Sequence, residues 1–81
     1  MRVDKFLKIS RLIKRRTVAN DACDKGKVSV NGKTVKASYE IKTGDILEIT
    51  LGEKTIKVEV LNPDNKFVTK DEAPLLYRQF D

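Results

Sequence analysis

Two short amphipathic helices are predicted at the start of the chain by the spacing of its apolar residues. Val3, Phe6 and Leu7 recur at i, i+3 and i+4, which places them on one face of a helix over 3–9. Asp4 falls in the first turn, where the helix dipole favours an anion and where a neighbouring cation can form a weak local pair. We expect the apolar face to pack on a core.

The second helix is predicted over 18–25. Its apolar residues recur at i, i+1, i+4 and i+5, at Val18, Ala19, Ala22 and Cys23. Thr17 is the predicted N-cap because its hydroxyl can accept from a backbone N–H. Gly26 is predicted to end the helix because glycine adopts a positive φ without strain. We interpret Cys23 as a small core residue, since the chain has no histidine to activate a thiol.

Beyond residue 26 the apolar residues alternate with polar ones, which is the period of half-buried strands. Asn31-Gly32 follows the alternating residues 28–30 and predicts a hairpin, because a type I′ turn needs a positive φ at both central residues. Further strands are predicted over 46–51 and 55–60, between turns that contain glycine.

The C-terminal pattern is compatible with a short edge strand at 67–68 and a helix over 71–80, with Pro74 in its first turn. The sequence therefore predicts an α+β fold in which two short N-terminal helices pack on a small, mainly antiparallel sheet. A helix at the C-terminal end completes this expectation.

Charge is unevenly divided along the chain. Residues 1–36 contain eleven lysines and arginines against three acidic residues, a net charge of +8, whereas residues 37–81 carry −3. A polyanion partner explains this segregation, because each cation placed near a phosphate releases condensed counterions. We favour nucleic acid over a basic surface kept for solubility, since cations clustered on one element are typical of nucleic-acid-binding proteins.

The cations are densest in the connection between the two predicted helices, where residues 11–16 contain four of them. Ile9, Leu12 and Ile13 are predicted to anchor this connection to the core. The basic side chains between these anchors would then face outward, towards a polyanion.

The chain lacks the residues of most catalytic sites. It has no histidine, one cysteine and no glycine-rich phosphate loop, so neither a catalytic triad nor a metal cluster can be assembled. We find no apolar run long enough for a membrane span and no apolar signal-peptide core. Five aromatic residues are too sparse for a platform on which RNA bases stack. We expect a non-enzymatic cytoplasmic protein, without cofactor or metal, that recognises the backbone and shape of folded RNA.

Four short motifs resemble the S-four RNA-binding domain, which is named after a ribosomal protein and is also called the alpha-L motif. They are Arg2-Val-Asp-Lys5, Arg16-Thr-Val-Ala19, the segment from Gly26 to Gly32, and Gly44-Asp-Ile-Leu-Glu-Ile49. The resemblance implies one RNA-binding domain over 1–81, with the core alpha-L motif in 1–50 and with sheet completion and a tail in 51–81. It also implies that the two helices and the following hairpin form the RNA-binding face.

Eleven residues are predicted to contact RNA. The positions that match the family's RNA-facing residues are Arg2, Lys5, Arg16, Thr17, Lys27, Asn31 and Lys33. The distribution of charge adds Arg11, Lys14, Arg15 and Lys36.

The chain is similar to free-standing bacterial members of this family, the heat-shock ribosome-binding protein and the RqcP type, and is closer to RqcP because its tail is short and acidic. That resemblance implies binding to ribosomal RNA of the large subunit and to tRNA, as a monomer off the ribosome. It further implies support of alanine tailing of stalled nascent chains by an RqcH-type tailing factor.

Two other functions remain open from the residues. Two helices joined by a short basic connection also describe a DNA-binding helix-turn-helix, although Asp21 and Asp24 would then bring carboxylates towards phosphates. The acidic C-terminal half could instead bind a protein, with the basic half merely solvated.

Overall fold

The computed structural model describes residues 1–63 and 76–80 of the chain. Its elements in chain order are α1 (Val3–Ile9), α2 (Arg16–Asp24), β1 (Val28–Val30), β2 (Lys33–Thr34), β3 (Ile46–Leu51), β4 (Lys54–Val60) and β5 (Tyr77–Gln79). The strands form one antiparallel sheet in the order β2-β1-β3-β4-β5. Two helices followed by an antiparallel sheet confirm the predicted α+β class. Neither described helix is long and apolar enough to cross a membrane.

The first helix has its predicted range, and backbone carbonyls from the segment after β2 satisfy its first turn. The N–H of Val3 donates to the carbonyl of Tyr39 over 2.8 Å, and the N–H of Asp4 donates to the carbonyl of Ala37 over 3.3 Å. The first N–H groups of a helix have no partner within it, so these bonds replace a side-chain cap. They also fix the start of α1 against the later part of the chain.

The start of the second helix differs from its prediction. α2 begins at Arg16, and its N-cap is Arg15 rather than Thr17. Arg15 has an extended backbone (φ −125°, ψ 138°), and its carbonyl accepts the N–H of Ala19 over 3.0 Å. Thr17 is therefore already helical, and the prediction of Thr17 as N-cap is wrong. The apolar pattern could not show this, because Arg16 and Thr17 carry no apolar signal.

The end of α2 confirms the role predicted for Gly26. This glycine has φ +72°, its N–H donates to the carbonyl of Cys23, and the N–H of Lys27 donates to the carbonyl of Ala22. Such a pair of reversed bonds is the Schellman motif, which satisfies the last carbonyls of a helix and turns the chain away. The turn brings the chain directly into β1.

The predicted hairpin is present between β1 and β2. Asn31 and Gly32 have φ values of +52° and +87°, as a type I′ turn requires, and Val30 pairs with Lys33 across the turn. The strand predicted over 46–51 is β3, and the strand predicted over 55–60 is β4, which begins one residue earlier. Alternation therefore located the strands well.

The helix predicted over 71–80 is wrong for the part that the structure describes. Tyr77–Gln79 is a strand, in which Tyr77 pairs with Val60 of β4. The helical pattern was only a few residues long, and the edge of β4 offers backbone partners that a short helix could not replace. The rest of that helix and the edge strand at 67–68 lie outside the described residues.

The core lies between the helices and one face of the sheet. Phe6 and Leu7 of α1 and Leu47 and Ile49 of β3 are fully buried. Burying each such side chain contributes on the order of 1.5–3 kcal/mol. Ile13 is 4% exposed, and Ile9 and Leu12 pack against the core, so their predicted role as anchors of the basic connection is confirmed.

Cys23 belongs to this core, as predicted, and is 4% exposed. Burial raises the pKa of its thiol from 9.0 to about 11, with smaller contributions from the nearby carboxylates of Asp4 and Asp24. The folded protein therefore disfavours the thiolate.

A raised folded-state pKa makes stability depend on alkaline pH. The stabilisation linked to the neutral thiol of Cys23 is complete below pH 9.0, where the unfolded chain also holds the proton, and is lost as pH rises through about 11. We expect Cys23→Ala to flatten the fall in melting temperature of the wild type between these pH values. Thermal melts of both proteins from pH 7 upward measure it, and parallel curves would contradict the assignment.

Candidate RNA-binding surface

A buried carboxylate joins two of the arginines that were predicted to contact RNA. The side chain of Asp4 is 2% exposed, and its Oδ1 accepts the backbone N–H of Lys5 over 2.8 Å. Its Oδ1 lies 3.2 Å from Nε of Arg2, and its Oδ2 lies 3.4 Å from Nε of Arg16. Both ion pairs are partly buried, so they fix geometry better than exposed pairs do.

The packing of α1 against α2 creates this arrangement. Arg2 stands directly before α1 and forms an isolated antiparallel bridge with Glu40, whereas Arg16 is the first residue of α2. Their side chains are 44% and 48% exposed. A guanidinium has five N–H groups in a planar fork, and each arginine donates only part of its fork to Asp4. Each arginine therefore keeps donors that Asp4 does not use, on a side chain that is about half exposed.

An open concavity of about 410 Å³ lies at this pair and is lined by Arg2, Asp4, Arg16, Thr17 and Asn20. Thr17, although not an N-cap, therefore lies beside the two arginines. Asn20 was missed by the sequence analysis. It stands four residues after Arg16, on the same face of α2, and this spacing could have identified it.

The basic connection between the helices presents its cations to solvent. Leu12 and Ile13 turn inward, and Arg11, Lys14 and Arg15 are exposed. The apolar anchors thus fix a row of cations next to the start of α2. A helix start also favours anions, because its first N–H groups point outward and the dipole is positive there.

The other predicted residues are more widely distributed. Lys5 is exposed on α1, and Lys33 and Lys36 are exposed on and after β2. Lys27 lines a separate groove of about 180 Å³ between α2 and the end of β3. None of these four lines the concavity at Asp4, so their predicted RNA contacts remain predictions.

Asn31 has a defined role within the fold. Its Oδ1 accepts the N–H of Ile46 over 3.0 Å, and its Nδ2 donates to Asp45 over 3.2 Å. These bonds join the hairpin turn to the start of β3. The amide is thus committed to the turn, and the predicted RNA contact of Asn31 remains a prediction.

The central role of Asp4 was underestimated from the sequence. We expected a first-turn anion with a weak local ion pair, but the side chain is buried and bonded to an arginine twelve residues away. The local ion pair could be expected, because Arg2 stands two residues before Asp4 in the sequence. The contact with Arg16 depends on how the helices pack, and no local pattern reports that.

The face of the sheet opposite the helices has a different character. Glu48 pairs with Lys57 at 4.0 Å and Glu59 with Arg78 at 2.6 Å, so cations and anions balance there. Both cations also lie near the ring of Phe80, with Lys57 Nζ 5.9 Å and Arg78 Cζ 5.2 Å from the ring centroid. The excess positive charge therefore lies with the helices.

Sequence comparison relates the chain to one family of known proteins. Residues 1–47 match the model of the S4 domain family. The chain is 51% identical over 77 residues to the "RQC P-site tRNA stabilizing factor" of Halalkalibacterium halodurans, which covers 95% of this chain and 86% of that protein. The Bacillus subtilis protein of the same name is 48% identical and covers 95% and 88% of the two chains.

A solved structure extends the agreement to the fold. The trimeric structure of heat shock protein 15 from Vibrio cholerae superposes with a TM-score of 0.90 at 28% identity, over 99% of this chain and 81% of that one. The family match includes both helices, the hairpin and the arginine pair at Asp4. The ribosome-associated members of this family that the chain resembles are RNA-binding factors and not enzymes. The chain therefore belongs to the S4 domain family of RNA-binding proteins.

Proposed function

We propose that this chain binds ribosomal RNA of the large ribosomal subunit together with the P-site tRNA, in the bacterial cytoplasm. The observation that carries the proposal is the pair of arginines oriented by the buried carboxylate of Asp4. The relatives named P-site tRNA stabilizing factors, at about half identity along nearly the whole chain, support tRNA as one of the ligands.

The geometry suits phosphate oxygens. A guanidinium can donate two parallel hydrogen bonds to one phosphate, and Asp4 sets the plane of both guanidinium groups before RNA arrives. Less side-chain entropy is then lost on binding. Polar Thr17 and Asn20 at the same concavity can donate to a ribose hydroxyl or to a phosphate. The surface therefore recognises backbone and shape.

We further propose that binding supports RqcH-dependent alanine tailing of stalled chains. A protein that holds the P-site tRNA keeps the nascent chain in place while a tailing factor acts. The relatives are named RQC P-site tRNA stabilizing factors, and a stably held P-site tRNA is what tailing of a stalled chain would require. The proposed partners are thus the large subunit, its tRNA and an RqcH-type factor, with the protein a monomer when it is off the ribosome.

Sedimentation tests the proposal. Tagged wild-type protein is expected to co-migrate with large subunits that carry peptidyl-tRNA, and Arg16→Ala is expected to shift to the top of the gradient. Lys57→Ala, on the charge-balanced sheet face, is the matched control and is expected to behave as wild type. Wild-type protein that stays at the top at low salt would contradict the proposal.

The DNA-binding alternative has less support. Asp21 and Asp24 of α2 are exposed, and Asp21 Oδ2 pairs with Lys25 Nζ at 3.0 Å. A recognition helix with this face would present carboxylates to a phosphate-lined groove. Equal affinity for duplex DNA and for the large subunit in the same salt would revive that alternative.

Salt dependence measures how many phosphates the surface neutralises. We expect log affinity to fall linearly with log salt concentration, by roughly 0.7 to 0.9 per phosphate contact. Removing one phosphate-bound cation, as in Arg16→Ala, should reduce that slope by one such contact, roughly 0.7 to 0.9, whereas Lys57→Ala should leave it unchanged. Titrations of the large subunit at several salt concentrations give the slopes. An affinity nearly independent of salt would exclude a phosphate-binding surface.

A further inference from the structure

Arg11 adopts a backbone conformation that the chain elsewhere assigns to glycine or asparagine. Among the described residues, positive φ values occur at Gly26, Gly32, Gly44 and Gly52, at Asn31, and at Arg11 with φ +61°. Asparagine tolerates this region, and the side chain of Asn31 is bonded within the turn. A long side chain that forms no hydrogen bond within its turn is unusual in this left-handed backbone region.

The two helices provide an internal comparison. Each ends with a residue of positive φ directly after its C-cap, and this residue is Gly26 after α2 but Arg11 after α1. Glycine is the usual residue at this position because it has no Cβ to clash with the backbone. The same positive-φ position is therefore occupied by a favoured residue, Gly26, after α2 and by a disfavoured residue, Arg11, after α1.

The turn at Arg11 is imposed by its surroundings. The N–H of Arg11 donates to the carbonyl of Lys8 over 3.1 Å, and the N–H of Ile13 donates to the carbonyl of Leu7 over 3.1 Å. Ile13 is buried in the core, and Ser10 is 1% exposed with its hydroxyl 3.3 Å from the carbonyl of Leu7. The chain must reverse here whichever residue stands at 11.

No side-chain contact of Arg11 with the described residues offsets this strain. The guanidinium of Arg11 is exposed and takes part in none of the ion pairs or side-chain hydrogen bonds within 1–63 and 76–80. Residues that the surrounding structure holds in sparsely populated backbone conformations are concentrated at functional sites. Arg11 also lies in the basic connection, five residues before Arg16.

We propose that Arg11 is a specific phosphate-binding residue whose left-handed backbone aims its guanidinium at the RNA, at the cost of stability. This inference rests on the proposed function and adds to it. The fixed backbone restricts the directions open to the side chain, so Arg11 acts as an oriented donor and not as one charge in a diffuse field. Stability and RNA affinity are thereby opposed at this residue.

The test compares Arg11→Gly and Arg11→Lys with the wild type, using purified large ribosomal subunits that carry a P-site tRNA as the probe. Arg11→Gly is expected to raise the melting temperature by about 3–5 °C, because relief of the strain exceeds the added freedom of the unfolded chain. The same variant is expected to bind the subunits at least about tenfold more weakly. Arg11→Lys keeps the charge and the strain, and should recover only part of the affinity.

The outcomes separate this inference from the proposed function. Wild-type protein that does not bind the subunits overturns both. If the wild type binds and Arg11→Gly binds equally well, or Arg11→Lys binds like the wild type, only the oriented contact of Arg11 is overturned. An Arg11→Gly protein that melts no higher than the wild type would show that the backbone stores no strain. Lys14→Ala, which removes a neighbouring cation without changing a left-handed residue, should weaken binding less and leave the melting temperature unchanged.

Discussion

Replacement of Asp4 by asparagine is expected to weaken binding to the large subunit by about 10- to 100-fold while the domain stays folded. Asparagine has nearly the same shape and can still accept the N–H of Lys5. It has no charge, however, and its amide would present N–H groups to the N–H groups of Arg2 and Arg16. The two guanidinium groups would then lose their common orientation, although neither is removed.

Arg16→Ala should weaken binding to the large subunit by a similar factor. The double variant with Asp4→Asn and Arg16→Ala should bind only slightly more weakly than either single variant. Residues that act as a unit are not additive, so this pattern distinguishes a shared site from two independent charges. Arg16→Lys should restore part of the affinity, because lysine cannot form a planar, two-bond contact.

Titrations of the large subunit with each variant, with circular dichroism to confirm folding, measure these effects. The matched control is Lys57→Ala, because Lys57 is an exposed cation on the opposite face of the sheet. If folded Asp4→Asn protein binds like the wild type, the buried carboxylate does not organise the surface. If Lys57→Ala weakens binding as much as Arg16→Ala does, the affinity comes from the overall positive charge of the protein and not from a specific contact of Arg16.

Replacement of Cys23 by aspartate is expected to unfold the domain. Cys23 is packed in the core at 4% exposure, and no cation pairs with that position among the described residues. An uncompensated buried charge costs roughly 3–5 kcal/mol, which is a large part of the stability of a domain of this size. The carboxylates of Asp4 and Asp24, which already raise the pKa of the thiol, would add repulsion.

Cys23→Ala is the matched control, since it keeps the position apolar and should cost only about 1 kcal/mol while RNA binding persists. Thermal melts and far-ultraviolet circular dichroism of both variants at pH 7 give the comparison. A folded Cys23→Asp protein with a normal melting temperature would mean that the site is less dry than its burial indicates. Loss of RNA binding by folded Cys23→Ala would reveal a function for the thiol.

The elements of this fold were largely predictable because their signals are local. The spacing of Val3, Phe6 and Leu7 located α1, and Asn31-Gly32 located the hairpin, since each depends on residues a few positions apart. Errors occurred where the local signal was weak. Thr17 was misassigned as a cap because two polar residues precede the apolar face of α2, and Tyr77–Gln79 became a strand because β4 offered it a partner.

The sequence by itself determined the two helices, the positions of the hairpin and of the main strands along the chain, the basic character of the first half and the absence of histidine chemistry. These follow from periodicity, turn residues and charge, which are properties of neighbouring positions. Only the tertiary structure decided that Asp4 is buried and holds Arg2 and Arg16 together, and that Arg11 has a left-handed backbone. Both depend on how α1 and α2 pack and on where the buried Ile13 forces the chain to turn. Contacts between residues that are distant in the sequence cannot be predicted from the spacing of apolar and polar residues along it.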